Sequence, residues 1–337
     1  SGDDQFDGSG GDDIINGGGG FDRVRFDRPQ NNVGVVVNLT AGTATGEWNG
    51  VAYTKTLSNI EWIRGSVHND VVTGSDAGER FDGGSGNDVL SGLGGNDTID
   101  GGDGNDTITD SGRNSVYGGG GDDVIVLTFI SQGLYDGGTE TDTLDASQDL
   151  FSGLHYDLSA SSFFIFGAEF TNFENVIDND GSNTLTGNDS ANILTGNGGN
   201  DQIFGGIGDD TLSGGDGNDT VRGGAGADTL SGGAGFDTLN YADSNDAVQV
   251  FLGGNTATGG HATGDTISGF ENAVGSNFDD RLFGSAQVNL LDGGAGSDIL
   301  LGNNGNDTLL GQNGDDSLDG SNGLFEADKV ERDSSGI

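Results

Sequence analysis

The residues of this chain best suited to chemistry are aspartates, and they recur every nine positions. Between Gly196 and Asn240 the sequence divides into GNGGNDQIF, GGIGDDTLS, GGDGNDTVR, GGAGADTLS and GGAGFDTLN. Each block follows Gly-Gly-x-Gly-x-Asp-x-U-x, where U is a large apolar residue and Asn197 replaces one glycine. Asp201, Asp210, Asp219, Asp228 and Asp237 hold the sixth slot, and Ile203, Leu212, Val221, Leu230 and Leu239 hold the eighth. A carboxylate is a hard oxygen donor of the kind Ca²⁺ takes. Glycines in the first slots permit a tight turn in which backbone carbonyls converge. The chemistry implied is cation binding in turns, one aspartate per turn.

The elements that must position these aspartates follow from the same beat. Six residues make the turn, and the last three make a short strand whose apolar member points inward. Two nonapeptides make one coil of eighteen residues with a strand on each side of a flat roll. Coils stack at the strand spacing of about 4.8 Å. Turns eighteen residues apart become neighbours, so Asp201 faces Asp219, Asp210 faces Asp228, and Asp219 faces Asp237. The expectation is one ion between each pair, its shell completed by turn carbonyls. The fold class expected is all-β, a solenoid of parallel strands.

Four repeat blocks alternate with three inserts. Residues 1–25 place Asp4, Asp13 and Asp22 in slot six. Residues 65–145 place Asp70, Glu79, Asp88, Asp97 and Asp106 there, lose one residue near Ser111, and resume at Asp123 and Asp142. Residues 178–240 begin with Asn183 and Asn192 in slot six, which weakens the expected binding at that entry. Residues 275–331 carry Asp280, Asn289, Asp298, Asp307 and Asp316, with a last copy stretched around Leu324–Ala327 before Asp328; residues 332–337 form a tail. The inserts are 26–64, 146–177 and 241–274. The first and third share alternating strands, GVVVNLTAGTATG from Gly34 and AVQVFLGGNTATG from Ala247, followed by KTLSNIEWIRGS from Lys55 and DTISGFENAVGS from Asp265. The middle insert keeps only TNFENVID from Thr171. Glu61, Glu174 and Glu271 each fall nine residues before a slot-six position, so the solenoid register starts inside the inserts. The chain reads as a super-repeat of roughly one hundred residues.

Composition sharpens this. The 337 residues include 69 glycines, no cysteine, 55 acidic and 11 basic residues, for a net charge of -44. Such a chain repels itself, and without metal it reads as disordered. With no basic face it does not suit nucleic acid. No apolar run is long enough to span a bilayer. The sequence has no H-E-x-x-H or G-x-S-x-G, and its histidines, His68, His155 and His261, are scattered. The abundant paired carboxylates are explained by the repeat, so no catalytic residue is assigned. Trp48, Tyr53, Trp62 and the phenylalanines 163, 164, 166, 170 and 173 read first as core where the repeat breaks, and second as a contact surface for sugar or another subunit.

The nonapeptides resemble those of the RTX (repeats-in-toxin) proteins secreted by Gram-negative bacteria. The resemblance implies a right-handed parallel β-roll with Ca²⁺ in the turns and strand-rich inserts. It implies export through a type I channel as an unfolded chain, with folding in extracellular calcium. By resemblance the ligands are the slot-six acids Asp4, Asp13, Asp22, Asp70, Glu79, Asp88, Asp97, Asp106, Asp123, Asp142, Asp201, Asp210, Asp219, Asp228, Asp237, Asp280, Asp298, Asp307 and Asp316. The function expected is a non-enzymatic, calcium-stabilised structural or adhesive rod, a segment of a larger surface or matrix protein whose partners are calcium and either itself or a polysaccharide. The alternatives are an export and folding module of a secreted protease, lipase or epimerase, and a polysaccharide-binding module.

Overall fold

The computed structural model describes residues 2–129, 132–320 and the backbone of 329–331. The stretch expected at Leu324–Ala327, Asp328 and the tail 332–337 lie outside the described residues. The chain forms two compact units, one of residues 1–150 with 161–175 and the other of 151–160 with 176–337. Each is a solenoid of short β-strands; among the described residues the helical turns are two 3₁₀ turns, Leu252–Gly254 and Gly260–Ala262, both in the second unit.

In the first unit one sheet orders Gln5–Asp7, Arg23–Arg25, Trp62–Arg64, Arg80–Ser85, Thr98–Asp103, Ser115–Gly120, Leu134–Thr139 and Ala168–Thr171 in parallel, closed by antiparallel Phe163–Ile165. The second unit has the matching sheet His155–Asp157, Thr184–Thr186, Gln202–Ile207, Thr220–Ala225, Thr238–Asn240, Asn272–Val274, Leu290–Asp292, Thr308–Leu310 and Lys329–Glu331. Within the repeats the register advances by eighteen, as in Thr98↔Arg80 and Gln202↔Thr220. Slot-eight side chains fill the interior: Val24, Phe81, Leu90, Ile99, Ile108, Ile203, Val221 and Leu300 are fully buried. Each such side chain contributes about 1.5–3 kcal/mol. The core is therefore one apolar residue thick per strand.

The first and third inserts each enter one face only, whereas the middle insert adds Ala168–Thr171 and Phe163–Ile165 to the first unit's sheet just described. On the first face, Trp62–Arg64 pairs directly with Arg23–Arg25 across the first insert, and Asn272–Val274 pairs with Thr238–Asn240 across the third. On the other face, a three-stranded antiparallel inset of Val51–Ser58, Thr43–Trp48 and Val36–Asn38 lies between Ile14–Asn16 and Val71–Ser75. In the second unit Thr266–Ser268, Thr256–Thr258 and Gln249–Phe251 are inset in the same way between Thr229–Ala234 and Arg281–Phe283. The alternation read in the sequence is real: Val35 and Val37 are buried while Val36 is exposed. The residue lost near Ser111 is absorbed by a register shift between Asp110 and Ser111.

Candidate calcium turns

Most slot-six aspartates first do a structural job. The backbone N–H that opens a strand donates to Oδ1 of the aspartate one coil on: Asp70 to Asp88 at 2.7 Å, Asp88 to Asp106 at 2.7 Å, Asp201 to Asp219 and Asp219 to Asp237 at 2.8 Å. Asp4 donates to Asp22, Glu79 to Asp97, Asp210 to Asp228, Asp280 to Asp298, Asn289 to Asp307 and Asp298 to Asp316 in the same way. The shortened coil keeps the pattern, with Asp97 donating to Asn114 and Asp106 to Asp123 across seventeen residues. In each of these pairs one side-chain oxygen is thus committed to the ladder.

The other oxygen is not. Oδ2 of Asp22, Asp88, Asp97, Asp106, Asp123, Asp142, Asp201, Asp210, Asp219, Asp228, Asp237 and Asp298 is buried without a hydrogen-bond partner among the described residues. Buried polar atoms are nearly always paired, so a repeated bare oxygen asks for a ligand. Its surroundings fit a cation. A Cβ on the slot-one glycine Gly214 would lie 2.3 Å from Asp219 Oδ2 and 2.5 Å from the Gly232 carbonyl. Gly205 is bracketed in the same way by Asp210 Oδ2 and the Gly223 carbonyl, at 2.3 and 2.5 Å. Carboxylate and carbonyl oxygens converge where a side chain would sit. No group of three His, Asp or Glu side chains gathers as a metal cluster among the described residues. A cation here would therefore complete its shell from backbone oxygen.

Slot two decides which turns are open. In every turn with a bare Oδ2, the slot-two residue has positive φ, whether glycine, as at Gly206 (113°) and Gly215 (111°), or Leu93 (63°) and Asn197 (63°). Asp307 and Asp316 share this turn through Asn303 (71°) and Gln312 (61°). At Ser66, Ser75, Ser276 and Ser285 in slot two, φ is not positive and the N–H turns onto the slot-six side chain, whereas Ser9 in the Asp13 turn donates to the Asp7 carbonyl at 2.8 Å. Ser66 donates to Asp70 Oδ2 at 2.5 Å and Ser276 to Asp280 Oδ2 at 2.5 Å, each adding its hydroxyl. Ser75 binds both oxygens of Glu79. Asp70, Glu79 and Asp280 are thereby satisfied by the protein. The asparagines are closed too: Asn192 accepts from Asn188 N, and Asn289 accepts from Ser285 N while its Nδ2 donates to the Glu271 carbonyl at 2.6 Å. Asp4 and Asp13 are exposed, and Asp316 is half-buried.

Electrostatics follows geometry. Burial is the main force that pushes Asp88 up to about 8, Asp97, Asp106, Asp142, Asp201 and Asp210 to about 7, and Asp123, Asp237 and Asp298 to about 6. Neighbouring carboxylates add to it, as Asp219 does for Asp201. Without a countercharge these carboxylates resist ionisation in the fold.

The ladder also has members outside the slot-six acids of the nonapeptides. Asp265 Oδ1 accepts from Asp228 N at 2.9 Å, and Glu61, Glu174 and Glu271 accept from Asp22, Asp142 and Asp237. The signal for Asp265 was present: Asp265-Thr-Ile-Ser-Gly repeats Asp228-Thr-Leu-Ser-Gly. The histidines make unrelated contacts: His68 Nε2 lies 3.1 Å from the Asn31 carbonyl and His155 Nε2 lies 3.3 Å from Thr186 Oγ1. Trp62 is flanked in its sheet by the guanidinium groups of Arg23 and Arg80, 4.3 and 5.0 Å from the ring. Phe163, Phe170 and Tyr135 stack in the core, while Phe164 and Phe166 are exposed.

A parallel β-solenoid with oxygen-lined turns on a nine-residue beat defines a calcium-binding repeat protein. The family model of the RTX calcium-binding nonapeptide repeat matches residues 1–24, 73–108, 108–127, 177–212, 204–239, 265–300, 274–309 and 292–323, together more than half of the chain. The chain belongs to the RTX repeat family. No curated protein matches it. Among the described residues no helix is long and apolar enough to cross a membrane.

Proposed function

We propose that the open turns bind Ca²⁺ through the bare Oδ2 atoms, and that the chain is a calcium-stabilised structural or adhesive segment of a larger secreted protein. The ligands are then Asp22, Asp88, Asp97, Asp106, Asp123, Asp142, Asp201, Asp210, Asp219, Asp228, Asp237 and Asp298, joined by Asp307 and Asp316. The closed turns at Asp70, Glu79 and Asp280 hold the fold without an ion. Calcium supplies positive charge between coils, which lets buried carboxylates ionise and converts binding energy into folding energy. The observation that carries this is the repeated buried, partnerless oxygen. In a cell interior poor in calcium the -44 charge keeps the chain extended for export, and outside it folds.

In this reading the blocks 1–25, 65–145, 178–240 and 275–331 carry calcium, and the inserts 26–64, 146–177 and 241–274 carry contacts to another copy or a polysaccharide. The exposed Phe164 and Phe166 support a contact role for the middle insert. The test is to incubate the chain in calcium with ester, peptide and uronate-polysaccharide substrates, and in parallel to image it for self-assembly and measure glycan binding. Assembly or glycan capture that needs the inserts is expected. Turnover that survives Asp219→Ala and disappears on removing residues 146–177 would overturn the reading.

A further inference from the structure

One turn already holds a cation, and that cation is a side chain. Lys55 is one of only two lysines in the sequence and is fully buried. In the inset of the first unit it stands where Asp265 stands in the second. The two segments align as Lys55-Thr-Leu-Ser and Asp265-Thr-Ile-Ser. Their backbones also match: Thr56 N donates to the Asp13 carbonyl at 2.9 Å, as Thr266 N does to the Asp228 carbonyl at 2.7 Å. Asp265 accepts the Asp228 N–H, which an ammonium cannot do. Instead the Lys55 chain runs back into the turn below it. Its Nζ donates to the Ser9 carbonyl at 2.5 Å, the Gly11 carbonyl at 2.9 Å and Asp13 Oδ2 at 2.6 Å.

Those acceptors are slots two, four and six of the Asp13 turn. They are two turn carbonyls and the slot-six Oδ2, the same oxygen types that stand open elsewhere. An ammonium has three protons and here finds three acceptors, which is what a buried charge requires. The Tyr53 ring, 4.6 Å from Nζ, adds a cation–π contact. We propose that the Lys55 ammonium replaces a metal ion in the Asp13 turn, so that this turn is closed by a tethered cation and takes no calcium.

The inference rests on the calcium reading of the open turns, and the experiment separates the two. Calcium bound per full-length chain is counted by equilibrium dialysis and elemental analysis for the wild type, Asp13→Ala, Asp210→Ala and Lys55→Asp, with amide exchange of residues 9–15 followed in calcium. Asp210→Ala should lower the count. Asp13→Ala should leave it unchanged. Lys55→Asp, which installs the residue of the second inset, should raise it by one and keep the segment protected. Lys55→Gln should keep the wild-type count but speed exchange at residues 9–15 by about tenfold, as expected for losing charge-assisted hydrogen bonds. A count lowered by both Asp13→Ala and Asp210→Ala overturns this inference alone. An unchanged count or lost protection in Lys55→Asp, or unaltered exchange in Lys55→Gln, also overturns it. A count unmoved by Asp210→Ala overturns the calcium reading and this inference with it.

Discussion

Replacing Asp210 by asparagine should change stability in a direction that depends on calcium. Asparagine preserves the ladder bond, since its Oδ1 can still accept the Asn192 N–H at 2.8 Å. It replaces the bare Oδ2 with a neutral amide. Burial, aided by Asp228 and Asp209, pushes Asp210 from 3.8 to about 7. At about 1.4 kcal/mol per unit, keeping this carboxylate ionised at pH 8 costs the calcium-free fold about 2–4 kcal/mol after solvent screening is allowed for. In chelator, Asp210→Asn should therefore favour folding by about that much. Calcium reverses the balance, because only the wild type gains RT ln(1 + [Ca]/Kd) at this turn, about 2.7 kcal/mol at 100 Kd and 4.1 at 1,000 Kd. The advantage should shrink by about 1.4 kcal/mol per decade of free calcium and then change sign. The assay is osmolyte-induced folding followed by circular dichroism, at buffered calcium from chelator to millimolar. A difference independent of calcium, or a mutant that folds less readily in chelator, would refute the reasoning.

Three further outcomes are expected. In chelator, acid should promote folding. Folded-state values of about 6–8 against about 4 in the unfolded chain mean these carboxylates favour the fold at low pH and cease to as pH rises through 6–8. Circular dichroism should show more strand at pH 5 than at pH 8, and the reverse would contradict the assigned burial. Asp219→Ala should weaken calcium binding more than Asp316→Ala, because Asp219 is buried with a bare Oδ2 in a turn between those of Asp201 and Asp237, whereas Asp316 is half-buried; equal titration midpoints would argue against the coil-to-coil stacking. Gly206→Ala places a side chain at φ 113° with its Cβ 2.5 Å from the Asn188 carbonyl. It should cost about 1–2 kcal/mol and loosen calcium at Asp210, as read by denaturation and titration.

The repeat made much of this legible. The nine-residue beat placed Asp201, Asp219 and Asp237 in one column because the period of the turn fixes the period of the stack. The inserts kept register at Glu61 and Glu271 for the same reason. What escaped was set by contacts outside the beat. Ser66, Ser75 and Ser276 look like ordinary slot-two substitutions, yet their φ turns an N–H onto the acid and closes the turn. The nonapeptide shows the serine but not the dihedral it takes, since Leu93 and Gln312 hold positive φ in the same slot. In the sequence Lys55 is only the first residue of the segment KTLSNIEWIRGS. Its role depends on a side chain reaching a turn more than forty residues earlier, which periodicity does not encode. The entry of the first and third inserts on one face was hidden likewise, because alternating Val35, Val37 and Leu39 predicts a buried face but not which sheet receives it.

The central claim is that the open turns bind calcium and that this binding folds the chain. Its most direct test is circular dichroism of the whole chain in excess chelator and after return of millimolar calcium, with bound metal counted by elemental analysis. The account predicts coil in chelator at pH 8, strand on adding calcium, and bound calcium lost and regained with the fold. A chain that keeps its full β signal in excess chelator at pH 8 and carries no metal would contradict it.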